Sequence, residues 1–258
     1  MTRSLAIAGN TLREALRERL LYNLVFFAVA VTVASLTVSQ LTLGEQFRII
    51  ADVAASSTQL FGLLISVFLG VSLVARDLDR RTCYALLARP VSRTEFVVGK
   101  FLGLLATAGL NLLVMAAVSA LALLSYRGDA SFLGSGYFAA FGLMLAQFAV
   151  AVALAVLFAS FTTSTLATIF TLSVLVSGFL FSEVREFWLS ARQTEMKEFV
   201  RVLDVLLPNM GLLDAKEALT YGDPVALGST LLRAAYGLGY AAVLMTLSAA
   251  VFSRKDIR

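Results

Sequence analysis

The sequence has no histidine and one cysteine, Cys83. Without imidazole there is no histidine general base, no histidine metal ligand and no Ser-His or Cys-His nucleophile pair. One thiol can neither close an internal disulfide nor assemble a thiolate metal site. No glycine-rich loop ends in Gly-Lys-Ser or Gly-Lys-Thr, and Gly99-Lys100-Phe101 lacks both the preceding glycine and the hydroxyl of a Walker A site. No dinucleotide fingerprint and no metal-ligand spacing occurs either. The sequence therefore offers no catalytic residue, no cofactor site and no metal site. Charge is scarce as well, at 15% of residues against about 25% in a soluble domain.

What is abundant is apolar surface, 59% of the 258 residues. It is gathered into uncharged runs rather than amphipathic faces, which points to lipid as the solvent. A helix needs about 20 apolar residues to cross the hydrocarbon. Six segments qualify as spans: 21–43, 58–75, 97–125, 137–159, 166–181 and 231–252. The stretch between Asp129 and Glu183 carries no charge and is too long for one crossing, so it must turn, at Ser160-Phe161-Thr162-Thr163-Ser164-Thr165. Lys100 lies near the start of the third span, where its stem can snorkel to the interface. The residues before the first run mix acids and bases, and no small-residue cleavage site closes the run. It is expected to stay as a span rather than be cut as a signal.

Lys and Arg set the orientation. The loop between spans two and three holds Arg76, Arg80, Arg81, Arg89 and Arg93, while the first and third loops carry one Arg each, Arg48 and Arg127. This places the N-terminus in the cytoplasm, and an even number of spans returns Arg254-Lys255-Asp256-Ile257-Arg258 to the same side. The net charge of +4 then reflects cytoplasmic Lys and Arg, not a nucleic-acid partner. The fold class expected is an all-α membrane protein of six transmembrane helices in one domain over 1–258.

Three pieces stand outside the spans. Residues 1–20 place Leu5, Ala8, Leu12, Ala15 and Leu16 at helical spacing, with Arg13, Glu14, Arg17 and Glu18 opposite. This reads as an interfacial helix on the inner leaflet, in contact with membrane lipid; the alternative is a solvated helix. Within 76–96, Thr82 is a fair N-cap and Pro90 stops a helix by Arg89. A helix of about two turns results, too short to stand alone; it either meets a partner or packs on its own bundle. Residues 182–230 form an outer segment. Alternating charges from Glu183 to Asp204, interleaved with Phe187, Trp188, Phe199, Val202 and Leu203, predict an amphipathic helix pair at the interface. Pro208-Asn209-Met210-Gly211 reads as a turn and Leu212 to Leu219 as a short helix. The segment is too small for an independent receptor domain, and it leaves room for an extracytoplasmic accessory protein.

The middles of the spans lack Asp, Glu, Lys and Arg, and no broken helix is evident at the midplane. Proton- or sodium-coupled carriers use such features. Asn111, Gln147 and the Ser and Thr residues read as helix-packing groups, and the paired glycines as close helix contacts. Energy for any transport must come from another subunit.

Leu86-Leu87-Ala88-Arg89-Pro90-Val91-Ser92-Arg93, followed by Gly99-Lys100-Phe101-Leu102-Gly103, resembles the signature of type-2 ABC exporter permeases. The resemblance continues through Phe158 to Gly178, Leu207-Pro208-Asn209 to Pro224, and Phe252-Ser253-Arg254-Lys255-Asp256. Arg81 departs from the pattern, standing where many members carry glycine before Thr82. The chain is most similar to the six-span subgroup without a fused ATPase, as in the permease of the nitrous-oxide-reductase maturation transporter. The resemblance implies a permease homodimer in the bacterial cytoplasmic (inner) membrane, served by two separate ABC ATPase subunits. The helix between spans two and three would be a coupling helix. The ATPase contact would comprise Asp77, Asp79, Arg80, Arg81, Thr82, Tyr84, Leu86, Leu87, Pro90 and Arg93. The protein would not itself hydrolyse ATP and would move a substrate outward. The alternative is a non-transporting membrane anchor or mechanotransmission subunit of an ATPase complex. A membrane-embedded enzyme acting on lipid is disfavoured, because no acid-base pair sits at membrane depth.

Overall fold

The computed structural model describes residues 2–39, 45–79, 93–189, 200, 203, 206–221 and 225–254. Among these the chain is mostly helical and contains no strand. In chain order the α-helices are α1 (Thr2–Ala15), α2 (Arg19–Ser39), α3 (Gln46–Asp79), α4 (Arg93–Arg127), α5 (Ser135–Ala159) and α6 (Ser164–Leu189). A 3-10 turn (Gly211–Leu213), α7 (Lys216–Tyr221) and α8 (Leu227–Arg254) follow. Five of the helices, α3 to α6 and α8, are long and apolar enough to cross a membrane. The apolar part of α2, Leu21–Thr37, is shorter. Six spans were expected, with 21–43 as the first.

Helices outrun the apolar runs that seeded them. The second span was expected from Thr58 to Ala75, yet α3 has 34 residues and starts at Gln46. At about 1.5 Å per residue it is ~50 Å long, well beyond the ~30 Å hydrocarbon core. Charge at Arg48, Asp52 and Arg76 marks where apolar surface ends, but the backbone ladder continues through it. The 35-residue α4 behaves alike until Gly128 stops it. Gly128 sits at φ 75 and returns its N–H to the Leu124 carbonyl at 2.9 Å, the left-handed cap that glycine adopts without a Cβ penalty.

At the centre lies α5. It packs against α3, α4, α6 and α8, and 78% of its apolar window is buried, against 28% for α6. Its sequence alternates alanine with larger residues, and small residues let helices approach closely where lipid supplies no hydrophobic drive. The contact with α3 is closest at two glycines. A Cβ at Gly62 would stand 2.1 Å from the Phe148 ring, and one at Gly70 would stand 2.7 Å from the Ala155 Cβ. Large apolar side chains such as Leu113, Leu121, Phe138, Leu180 and Leu232 face outward, as a lipid solvent requires.

Hydroxyls mostly bond within their own helix. Thr58 donates to the Ala54 carbonyl at 2.8 Å and Thr171 to Ala167 at 2.7 Å, the i−4 pattern. Cross-helix contacts are fewer, among them Thr32 to Ser57 at 3.2 Å. The expected turn in the uncharged stretch is a helix break: α5 ends at Ala159 and α6 starts at Ser164. Ser160 and Thr162 hydroxyls cap the Leu157 and Phe158 carbonyls at 2.6 and 2.8 Å.

Successive long helices run in alternating directions. One end of the bundle gathers α1, the last turns of α3 and the first turns of α4. It also holds the end of α8, where Phe252 stacks on Phe96 at 6.0 Å. The opposite end gathers the start of α3, the turn after α4 and residues 206–221. They are called the α1 end and the far end below.

Candidate functional site

At the α1 end, α1 lies along the first turns of α4. Two glycines one turn apart make room for it. A Cβ at Gly99 would be 2.8 Å from the Ile7 Cβ and 2.9 Å from the Ser4 carbonyl oxygen; one at Gly103 would be 2.6 Å from the Ala8 carbonyl oxygen and from the Thr11 Cβ. Gly99 and Gly103 are thus a small-xxx-small contact used against an interfacial helix. The face of α1 that packs holds Ile7, Ala8, Thr11 and Ala15, with Thr11 and Ala15 fully buried. The stripe expected to contact the membrane is only partly used for this. Leu5 is 63% exposed and stands to one side, free to meet lipid.

Between the two glycines, Lys100 does not snorkel. Its side chain is 5% exposed and its Nζ lies 2.5 Å from Asp77 Oδ2 and 3.5 Å from Glu14 Oε2. Beside this pair, Arg76 donates to Glu18 Oε1 at 2.5 Å. Glu14 and Glu18 are one turn apart on α1 and the stretch after it, Arg76 and Asp77 lie in the last turn of α3, and Lys100 lies two turns into α4. The junction therefore ties three helices through opposite charges. A buried pair of this kind adds little net stability over an apolar contact, but breaking it strands a charge. Its effect is to fix the register of the helices.

The expected contact residues divide accordingly. Asp77 is described, and it faces Lys100 inside the bundle. Asp79 is at the last residue of α3 and Arg93 at the first of α4. Arg80, Arg81, Thr82, Tyr84, Leu86, Leu87 and Pro90 lie outside the described residues, as do the expected helix pair's residues 190–199. The sequence reading missed Glu14, Glu18 and Lys100 as parts of one junction. The signal was there: two carboxylates at i and i+4 in 1–20, and a lysine between two glycines at helix-contact spacing.

A second polar constellation lies deeper. Residues 206–215 were expected at the interface, and the span middles were expected to lack irregular backbone. Instead the stretch packs its 3-10 turn between α5, α6 and α8, with Met210 and Leu213 fully buried while Leu206 and Leu212 stay exposed. Gln147, the midpoint of the 25-residue α5, donates to the Met210 carbonyl at 3.2 Å. Tyr240, near the middle of the 28-residue α8, donates to the Leu206 carbonyl at 2.8 Å, and the Asn209 N–H donates to the Tyr236 hydroxyl at 2.9 Å. Non-helical backbone at membrane depth is tolerated only where protein or trapped water satisfies it; here side chains of the spans do so. Gln59 donates to both Gln147 Oε1 at 2.9 Å and Asp214 Oδ2 at 3.3 Å. Two glycines admit the segment: a Cβ at Gly178 would be 2.5 Å from the Pro208 carbonyl oxygen, and one at Gly211 would be 2.5 Å from Ser182 Oγ. The depth was invisible in the sequence because 206–215 has no long apolar run. The mid-span glutamines were the only hint.

Among the described residues no cluster of acidic residues or cysteine is arranged to hold a metal ion. No curated protein matches the sequence significantly. The family model described as "ABC-2 family transporter protein" matches residues 5–257. That match spans α1, the ionic junction and the inserted segment. Members of this family are the membrane component of ABC transporters, not the catalytic one, and work with an ABC ATPase subunit. The apolar helices make this chain a multi-pass membrane protein. The chain belongs to the ABC-2 transporter family, as a membrane-spanning permease component.

Proposed function

We propose that the chain is the permease subunit of an ABC exporter, with the α1 end in the cytoplasm and six crossings of a bacterial cytoplasmic membrane. Two copies pair as a homodimer, and a separate ATPase subunit binds beneath each. Residues 76–96 carry the contact, with Asp79, Arg80, Arg81, Thr82, Tyr84, Leu86, Leu87, Pro90 and Arg93 at or beside the ATPase surface. Asp77 serves the same contact from within, as an anchor.

The observation that carries this reading is the ionic junction. Both helices that flank 80–92 are fastened there, through Asp77 and Lys100, and α1 is fastened to both. A load applied to the connecting segment therefore reaches three helices together rather than fraying one. The basic character of that segment supports its cytoplasmic placement. So does the lack of any nucleotide motif in the chain itself.

The full chain purified from its native membrane should retain an ABC ATPase; absence of any such protein would refute the reading. Charge reversal at Arg80→Glu and Arg81→Glu should abolish that co-purification while leaving thermal stability unchanged. Retention of the ATPase would move the contact elsewhere. Glu195→Cys in a Cys83→Ser chain should be labelled by an impermeant maleimide from outside the cell; labelling only from the cytoplasmic face would invert the topology. Reconstituted export, measured against ATP hydrolysis, separates a transporting permease from a mechanical transmission subunit.

A further inference from the structure

We infer that residues 206–215 are a plug seated in the far half of the bundle, and that Gln59 and Gln147 are a releasable latch holding it. Withdrawal of the plug opens that half. The sidedness and the ATP dependence of withdrawal rest on the permease reading above; the latch itself does not.

The plug is held in two ways. Its shape is fitted by Gly178 and by its own Gly211, positions where a Cβ would collide. Its own backbone bonds are local, Leu207 N–H to the Leu203 carbonyl, Leu213 to Met210 and Asp214 to Gly211, and side chains tie it to the spans: Gln147 on the Met210 carbonyl, Tyr240 on the Leu206 carbonyl and Tyr236 on the Asn209 N–H. Not one of these ties to the spans belongs to a span's own helix ladder, so the segment can leave without unwinding a span. Gln59 closes the arrangement. One of its amide hydrogens is spent on Gln147 and the other on Asp214, so it links α3 and α5 to the plug at once.

Release also needs somewhere for water to enter, since the freed backbone must be satisfied. A far-end cleft of about 670 Å³, lined by residues including Asp52, Glu183, Gly211, Asp214 and Glu217, reaches the plug from its open side. Asp214 is shared by the cleft and the latch. It also accepts the Lys216 N–H at 3.0 Å and pairs with Lys216 Nζ at 3.3 Å. Water from the cleft can therefore replace Gln59 on Asp214 first and follow the plug as it lifts.

The test uses the full chain with Cys83→Ser and Met210→Cys, in vesicles, with a membrane-impermeant maleimide applied to each face. Met210 is fully buried, so the parent should react slowly. Gln147→Leu removes the one side-chain bond to the Met210 carbonyl, which keeps only the Leu213 N–H at 3.2 Å, and leaves one Gln59 amide hydrogen without its acceptor; it should raise the alkylation rate about tenfold, from one face only. Tyr240→Phe removes a single hydroxyl and should raise it about threefold; it decides the matter if Gln147→Leu does not fold. Hydrogen exchange should quicken over 206–215 and stay unchanged over α5. Parent-like alkylation in folded Gln59→Leu, Gln147→Leu and Tyr240→Phe chains would overturn the latch. With the ATPase bound, ATP should accelerate alkylation of the parent. If it does not, while Gln147→Leu still does, the latch stands and ATP-driven withdrawal is overturned.

Discussion

Replacing Lys100 by methionine tests whether the junction at the α1 end is structural. Methionine keeps most of the stem and removes the charge, so packing between Gly99 and Gly103 survives. What is lost is one partner of Asp77, at 2.5 Å, and, more weakly, a partner of Glu14 at 3.5 Å. Removing one member of a buried pair costs about 3–5 kcal/mol. Asp77 keeps 17% of its side-chain surface and Glu14 33%, so water recovers part of this, and Glu14 contributes no more than a surface pair. The remaining loss is about 2–3 kcal/mol, which for a chain of this size lowers the melting temperature by about 4–12 °C. The second half of the prediction is the sharper one. Asp77→Asn in the Lys100→Met background removes the carboxylate charge that Lys100 no longer offsets and should recover more than half of the loss. Thermal unfolding in detergent, read by the retained monodisperse fraction, measures both. Trypsin adds a local readout, because Arg13 and Arg17 should be cut faster when α1 loosens. A double variant as unstable as Lys100→Met alone would refute the ion-pair account, since the damage would then be packing.

Other substitutions probe the close contacts. Gly103→Leu drives a side chain into the Ala8 carbonyl and Thr11; it should cost about 1–3 kcal/mol and expose α1 to trypsin, with the spans intact. Gly62→Ala puts a methyl 2.1 Å from the buried Phe148 ring. It should destabilise by about 2–3 kcal/mol, and Phe148→Leu should relieve part of it, measurable as non-additive melting temperatures.

Hydropathy and helical spacing made the helices legible because lipid imposes one strong rule, an uncharged run of sufficient length. The polar cluster from Ser160 to Thr165 marked the break between α5 and α6 because its clustered hydroxyls can satisfy helix ends, as Ser160 and Thr162 do. Helix extents were less legible. Arg48 and Arg76 end the apolar run without ending α3, since a charged residue at the membrane surface costs a helix nothing. The face of α1 that packs was hidden for a different reason. Leu5, Leu12 and Leu16 outweigh Ile7 and Thr11 in any hydrophobic periodicity, yet the docking surface is set by glycines on α4, which carry no hydrophobic signal. Residues 206–215 were misplaced because their burial is secured by long-range partners, Gln147 and Tyr240, whose spacing in the chain contains no local pattern.

The two polar constellations share one rod. Gln59 and Asp77 are both on α3, and Gly70 lies between them, where α3 packs tightly on the small side chain of Ala155 of α5. A close crossing of two small residues is a natural fulcrum, because side chains elsewhere along the pair can shift while that point cannot approach further. Gln59 is about 16 Å from it along the helix axis at 1.5 Å per residue. A tilt of about 10° about the crossing would move Gln59 by ~3 Å, enough to carry a 2.9 Å bond to Gln147 beyond hydrogen-bond reach. A force delivered at Asp77 could therefore be read at the plug without any helix bending. This makes the constellations energetically coupled rather than independent. In the Met210→Cys chain bound to its ATPase, Lys100→Met should abolish the acceleration by ATP, while Gln147→Leu should make alkylation fast with or without ATP. Combining them should give the Gln147→Leu behaviour, because the latch lies downstream of the junction. If Lys100→Met leaves the ATP response intact, α3 is not the lever, and the load must pass through α4 or α8 instead.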